Sequence, residues 1–491
     1  LVQVWVAAGT YTKADGYKIK NKVAVYGGFP KTGNPGMKER HPLLADGITP
    51  NAENKNLDPA DYETILQIAE SIPNDIKTFS VLEHPDECRV TQLPSTSDEN
   101  RPIDHVIYED VVWDGFTIRN GHKSSSGGRR GGAGVMLYEN VTLRNCVVRN
   151  NKMSYLSSNS GRGAGIYCDG STIENCYVLQ NNMDMTTGSG RSSYGGGLYI
   201  IKGTVFNSVF AANTMRGTGD QYRGSGIFLE DASFFNNTIV DNTGGNSVIG
   251  VYTASAANSQ LYIYNTIIVG GNTTILHRAS NQTPVGFYNC YIQTTSTLSD
   301  DMNRVTQENN KTFIGNGSYI EENNPFAKTF EKAKETVDYR INAKEGKCFN
   351  NGDITLVDAD LFPDSDMDYT ERVKDCTLDI GAYEYNGAAN IEPETDDKDI
   401  PGAAIFYVTQ NGRGLATATD PANAACWMKL QKVLDAAGRY KFYHPATQVI
   451  VKLAAFPAGG DAGYMPRRSS VTKANDPDAE NPRTYSITVP R

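Results

Sequence analysis

Four short segments of the chain gather side chains that bind anions and sugar rings: Arg129 and Arg130, Tyr155 and Arg162, Arg191 and Tyr194, then Tyr222 and Arg223. Each lies just ahead of a glycine-led phrase. A guanidinium fork meets a carboxylate or sulfate in two parallel hydrogen bonds, and a tyrosine offers a flat face to a sugar. If the segments stack, Arg130, Arg162, Tyr194 and Arg223 become one strip suited to holding an acidic glycan rather than cutting it. The surrounding text, SSSGGRRGG and TTGSGRSSYGGG, equally fits solvated flexible arms.

The other candidates are weaker. In DADLFPDSDMDYTE the alternating Asp364, Asp366 and Asp368, with Asp358 and Asp360 before them, could wrap calcium, the one cofactor the sequence suggests. No glycine stands at the sixth position and no glutamate at the twelfth, so the helix–loop–helix calcium pattern fails, and a solvated acidic turn is the competing reading. His41, His84, His105, His122, His277 and His444 share no spacing and have no recognisable Ser or Cys partner, so none is assigned a catalytic role. The eight cysteines contain no CxxC pair. Cys146 and Cys176 fall at equivalent places in adjacent repeats, where stacked side chains seldom reach disulfide geometry, and they read as two thiols.

What must position such a strip is a repeat. GGAGVMLY at 131–138 recurs as GAGIYC, GGGLYI and GSGIFL, and each phrase is followed by an apolar residue and, two places on, an asparagine: Leu143 and Asn145, Ile173 and Asn175, Val205 and Asn207, Phe234 and Asn236, Ile263 and Asn265. The period of about thirty is too short for a propeller blade and lacks leucine-rich spacing, while period-two alternation inside each segment indicates strands. These features predict an all-β, right-handed parallel β-helix solenoid. If the apolar residues point inward, so do Asn145, Asn175, Asn207 and Asn236, whose amides would form a ladder. A second asparagine column follows at Asn120, Asn151, Asn181, Asn213 and Asn242; the alternative is that asparagine merely favours turns. Met136, Tyr167, Tyr199, Phe228 and Tyr252 form a further set that faces either a core or the outside, and is read as a core column.

The period spans 114 to about 295 within a module over 1–386. Residues 387–403 are acidic and proline-bearing, a linker, and 404–491 is read as the beginning of a second similar module. QVIV at 448–451 repeats QVWV at 3–6, and RTYSITVP resembles DGYKIKNKV. A capping helix over about 426–437, ended by Gly438, and a strand at 448–453 are expected, and the equivalent helix of the first module would precede Leu1. The formal charge of −10, with acids scattered along the chain, disfavours nucleic acid as a partner. No apolar run is long enough to span a membrane, and the first residues lack the pattern of an export signal.

QVWVAAGTY, VAVYGGF, VVWDGFTIRNG, the GGGLY-type phrases and LDIGAYEY together resemble the right-handed β-helix surface proteins of Bacteroidetes and related bacteria, within the pectate-lyase-like superfamily. The resemblance implies export to the cell surface and a long modular protein, with further modules on both sides and a glycan or another cell-surface protein as partner. It implies no single activity. The expected role is that of an adhesin, stalk or glycan-contacting scaffold. A polysaccharide lyase or glycoside hydrolase acting on acidic polysaccharide is the alternative. A lyase of this kind would hold calcium on acids of neighbouring coils and use a Lys or Arg base beside a uronate. Glu139, Asp169, Glu230 and Asp231 are the candidate acids, but Ile201 and Lys202 break their row, and no close carboxylate pair for a hydrolase stands in the solenoid.

Overall fold

The computed structural model describes residues 2–37, 40, 62–69, 80–83, 109–124, 131–154, 161–185, 193–217, 222–252, 261–271, 276–278, 285–293, 312–314 and 319–321. With short breaks it also describes 324–385, then 393, 395, 401–409, 418, 425–426, 430–453 and 485–488. Two compact units are present: Leu1–Arg340 with Asp366–Tyr369 and Ile380–Tyr383, and the remaining closing segments together with the residues up to Arg491.

The first unit is a parallel β-helix. Two ten-stranded sheets and one eight-stranded sheet are formed by strands that follow one another in the chain and pair with their equivalents one coil away. One coil runs through Thr172–Glu174 in sheet 1, Tyr177–Leu179 in sheet 2, Asn182–Asp184 in a five-stranded sheet, Ser193–Tyr194 in a three-stranded sheet and Leu198–Ile201 in sheet 3. Register is kept from coil to coil, as in Leu143 to Ile173 to Val205 and Val148 to Val178 to Phe210. The inward columns fuse into one apolar core along the stack. Alternation in short, β-branched strands fixes this arrangement, since slipping by one residue would turn each core column outward.

The asparagine columns divide into two physical roles, and here the expected ladder is corrected. Asn145, Asn175, Asn207 and Asn236 do stack, but as corner residues between sheets 1 and 2, at φ of 52, 49, 47 and 54°. Asparagine tolerates this left-handed region better than other side chains carrying a Cβ. Their main-chain N–H groups bond to the next coil, as from Asn175 to Phe206 O at 3.3 Å and from Asn236 to Tyr264 O at 3.1 Å. The Asn175 Oδ1 and both Asn236 amide atoms make no hydrogen bond among the described residues. The corner resets the alternation, so the next residue is the inward one: Cys146, Cys176, Ser208, Asn237, Thr266 and Cys290 are all buried. Cys176 Sγ donates to Leu143 O (3.4 Å) and Asn237 Nδ2 to Val205 O (3.0 Å), so thiol and amide perform the same task. Cys146 and Cys176 are unbridged, and burial beside Cys146 pushes the Cys176 thiol up.

The true ladder is the second column, beginning at Gly121 in place of Asn120, which itself has φ 58°. Asn151 Nδ2 donates to Asn181 Oδ1 (3.0 Å), Asn181 to Asn213 (3.0 Å) and Asn213 to Asn242 (2.9 Å). Each Oδ1 also accepts the preceding asparagine's main-chain N–H, and each Nδ2 also reaches a carbonyl one coil back, as from Asn181 to Val148 O at 2.9 Å. All four side chains are fully buried.

The LDIGAYEYN segment is built into the fold. Gly381 N–H bonds to Asn265 O (2.8 Å), Ala382 N–H bonds to Thr238 Oγ1 (3.1 Å), and the Tyr383 and Tyr177 hydroxyls meet, all on the outer side of sheet 2. Gly381 adopts φ 109° with its α-carbon side against Ile267, where any Cβ would lie 2.6 Å from a methyl.

In the second unit, Ala403–Thr409 and Gln448–Leu453 pair in parallel across the helix Leu430–Tyr443. Val449, Val451 and Leu453 pack with Phe406, Val408, Val433 and Ala437. The strand falls where the sequence places it. The helix starts at Leu430 rather than 426 and continues through Gly438, because Pro445 stops it: the residue ahead of a proline is pushed out of the helical region. Tyr485–Thr488 is antiparallel to Gln448–Leu453, whereas its textual counterpart Tyr17–Lys18 pairs in parallel with Leu82–Glu83. The likeness of phrases does not extend to that pairing. No described helix is long and apolar enough to cross a membrane.

Candidate functional site

The strip foreseen from the loops forms as a small parallel sheet of Gly161–Arg162, Ser193–Tyr194 and Tyr222–Arg223. Arg162, Tyr194 and Arg223 share one register within it. Residues opposite one another in a parallel sheet point to the same side at about 4.8 Å spacing. Arg130 lies outside the described residues, next to Gly131, which forms a bridge with Arg162. The sheet's other side, which carries Tyr222, packs on Met153, Met183, Met185 and Met215 in an apolar cluster separate from the main core. These segments are therefore packed elements wherever they are described, and not solvated arms.

Beneath the strip runs the aromatic set. Val135, Ile166, Leu198 and Ile227 fill the core from sheet 3, so Met136, Tyr167, Tyr199 and Phe228, one residue on, face outward. All four belong to the same buried core, as the core-column reading expects, although they stand on the opposite side of sheet 3 from Val135 and Ile166. These rings are buried all the same, because the strip covers them. Tyr167 and Tyr199 stack at 5.6 Å between centroids, Tyr199 and Phe228 at 5.2 Å, and Tyr194 tilts onto Phe228 at 4.6 Å. The Arg162 guanidinium lies 5.1 Å from the Tyr199 centroid, a cation–π contact. Burial alone would lower the Arg162 pKa, but the tyrosines and Glu230 around it raise it, and its Nε makes no hydrogen bond among the described residues. Tyr252 does not belong to the column: Gly250 stands opposite Phe228, and Tyr252 stands opposite Glu230.

A carboxylate column runs beside the rings. Tyr138, Asp169, Ile201, Glu230 and Tyr252 follow one another in register, so Ile201 separates the two acids, as the break in the sequence row implies. Tyr199 Oη donates to Glu230 Oε2 at 2.6 Å. Asp169 is 5 % exposed and its Oδ2 makes no hydrogen bond among the described residues. Burial, then the neighbouring Glu139, push its carboxyl up to about 6, with Glu230 adding to the rise and Lys202 and Arg162 opposing it. The sequence named Glu139, Asp169 and Glu230 but gave no sign of the Tyr199–Glu230 bond. That partnership could have been read from the equivalent four-residue strands of adjacent coils, Leu198–Ile201 and Ile227–Glu230, whose second and fourth positions face the same way. Asp231 follows in a left-handed turn at φ 49°.

Of the aspartate loop, Asp366 and Asp368 are described. Asp368 takes a two-pronged ion pair from Arg340 (2.6 and 2.7 Å), and Asp366 Oδ1 accepts the Asp368 N–H (2.9 Å). Asp364 lies outside the described residues. Among the described residues no three His, Cys, Asp or Glu side chains gather as metal ligands.

No protein-family model matches this chain, and no curated protein or solved structure is significantly similar to it.

Proposed function

We propose that this chain is an extracellular, surface-displayed β-helix module of pectate-lyase-like type, as in Bacteroidetes, that acts as an adhesin, stalk or scaffold and holds an acidic glycan without cutting it. The reading rests on one observation: Arg162, Tyr194 and Arg223 stand side by side on the outer surface of the first unit, in register, over a column of stacked rings. Two guanidinium groups flanking a half-buried tyrosine fit carboxylate or sulfate groups on either side of a sugar ring. On a chain of net charge −10 such a strip concentrates a polyanion by its local field. Partners would be a glycan or another cell-surface protein, with further modules of the same polypeptide alongside.

An acidic-glycan array comparing the native chain with the Arg162→Ala, Arg223→Ala double variant tests this, with circular dichroism to verify that the variant keeps its strands. Binding by the native chain and at least about tenfold weaker binding by the variant are expected for loss of two charged contacts. Equal binding, or none to any acidic glycan, removes the proposal.

A second reading is favoured by Asp169 alone. A buried carboxyl that titrates near neutral pH beside Glu139 and Glu230 is the environment of a general acid. Release of unsaturated or reducing ends from an acidic polysaccharide by the native chain, lost in Asp169→Asn, would establish the polysaccharide-cleaving alternative.

A further inference from the structure

We propose that the outer face of the five-stranded sheet carries a second site, an esterase centre in which Ser154 is the nucleophile and His122 its base, acting on a short acyl ester of a polar alcohol. The sequence offers His122 no serine; the fold supplies one. His122–Ser124 pairs in parallel with Lys152–Ser154, Lys152 standing opposite His122 and Ser154 opposite Ser124. His122 reaches diagonally across the pair, and its Nε2 lies 2.6 Å from Ser154 Oγ. That is hydrogen-bond contact between a hydroxyl and a ring nitrogen, the arrangement by which a base makes a serine nucleophilic. His122 is 7 % exposed, so its ring is held by what surrounds it, while Ser154 is partly exposed.

The surroundings fit that chemistry. Met153, Met183 and Met215 stand in register on successive strands and are buried in the apolar cluster behind the sheet, so the residues flanking each of them face out. Around Ser154 these are Lys152, Asn182 and Thr214 in one column and Asp184 and Arg216 in the next, all polar. A face without apolar side chains gives a long acyl chain nothing to bury against and suits a hydroxyl-bearing leaving group. Lys152 Nζ lies 3.5 Å from Asp184 Oδ2, and Asp184 stands opposite Ser154. An ammonium on the same face as the nucleophile stabilises the oxyanion that forms when the carbonyl is attacked. The step balances with water as its co-reactant. Ser154 Oγ forms a bond to the ester carbonyl carbon while its proton passes to His122 Nε2 and the carbonyl pair moves onto oxygen. Collapse breaks the ester C–O bond, and the alcohol leaves with the proton from His122. Water repeats the sequence on the acyl-serine, releases the carboxylic acid and returns both side chains to their starting states.

The test treats the full chain with a serine-directed fluorophosphonate and locates the adduct by peptide mass spectrometry. Ser154 should be labelled ahead of every other serine, and at least about a hundredfold more slowly in His122→Gln, whose side chain keeps a hydrogen-bonding group but cannot take the proton. The native chain should hydrolyse para-nitrophenyl acetate, and faster than the octanoate. Ser154→Ala should reduce that rate to the buffer background, with circular dichroism to verify that the variants keep their strands. Labelling of the native chain needs no variant and decides the matter if His122→Gln does not fold. No adduct at Ser154, equal labelling in a folded His122→Gln, or hydrolysis that survives Ser154→Ala overturns the proposal and leaves the pair as a bond that joins two coils. Faster turnover of the octanoate overturns the substrate class. None of these measurements depends on Arg162 or Arg223, so glycan binding and the ester chemistry fail separately.

Discussion

At the scale of single residues, two asparagines that look alike in the sequence have different duties, and substitutions separate them. Asn181 bonds through its amide to Asn213, Asn151 and Val148, all fully buried. Asn181→Leu strands those groups, and a loss of about 3 kcal/mol is expected in urea unfolding. Asn175 holds a left-handed corner at φ 49° with an idle Oδ1, so Asn175→Gly should change stability by less than about 1 kcal/mol while Asn175→Leu costs about 1–2 kcal/mol through backbone strain. Equal losses at the two sites would show that corner and ladder are not distinct. Asp169 supplies a pH test. Its carboxyl is raised in the folded chain, from 3.8 to about 6, so the folded state binds the proton more tightly. Its contribution to stability is therefore present below about pH 4 and is lost as pH rises through about 6. Asp169→Asn should raise the thermal midpoint above pH 6 and leave it nearly unchanged at pH 4; a gain that is the same at both values would refute the assignment.

At the scale of elements, the strip and the aromatic column form one packed layer, and glycines let them meet. A Cβ at Gly131 would lie 2.4 Å from the Tyr167 ring, and one at Gly250 would lie 2.4 Å from the Phe228 ring and 3.1 Å from Arg223 Cβ. Rings wedged between coils have nowhere to go, so Gly250→Val should cost about 1–3 kcal/mol and loosen Tyr222–Arg223, seen as a lower urea midpoint and faster exchange there. An unchanged midpoint would mean that the layer is loosely packed. Of this layer the sequence revealed the period, the strands, and the grouping of Arg162, Tyr194 and Arg223, because equal spacing along a solenoid becomes adjacency. It concealed the direction of the aromatic column: alternation gives two faces but not which one is inside, and tyrosine buried under a second layer looks in text like tyrosine in a core. Both asparagine columns read as ladders in the sequence, but only the second, Asn151 to Asn242, is one, for a related reason. A left-handed corner resets the inward-outward alternation, and asparagine is favoured both at the corner and in the ladder. The Arg340–Asp368 pair was invisible, since nothing local ties two residues of such different segments.

At the scale of the whole first unit, stability is a sum over coils and the interfaces between them, as in any solenoid. The asparagine ladder is not uniform along it: it begins at Gly121, runs through Asn151, Asn181, Asn213 and Asn242, and ends there, since Gly271 lies against the Asn242 backbone. Interfaces within that span carry side-chain hydrogen bonds in addition to the sheet ladders, whereas the pairing of Val2–Ala7 with Val23–Phe29 lies outside it. Local opening should therefore be rarest within that span. Native-state hydrogen exchange should find Tyr177–Leu179 and Val209–Ala211 slowest and Val2–Ala7 fastest among the strands. Asn213→Leu discriminates this from a protein that opens all at once. If interfaces add independently, the substitution should speed exchange in the coils of Asn181 and Asn242, the two partners it strands, and leave the pairing of Val2–Ala7 with Val23–Phe29 at its native rate. A uniform acceleration across all strands would mean that the stack unfolds as a single cooperative block, and that the ladder contributes to the whole rather than to its two neighbouring coils.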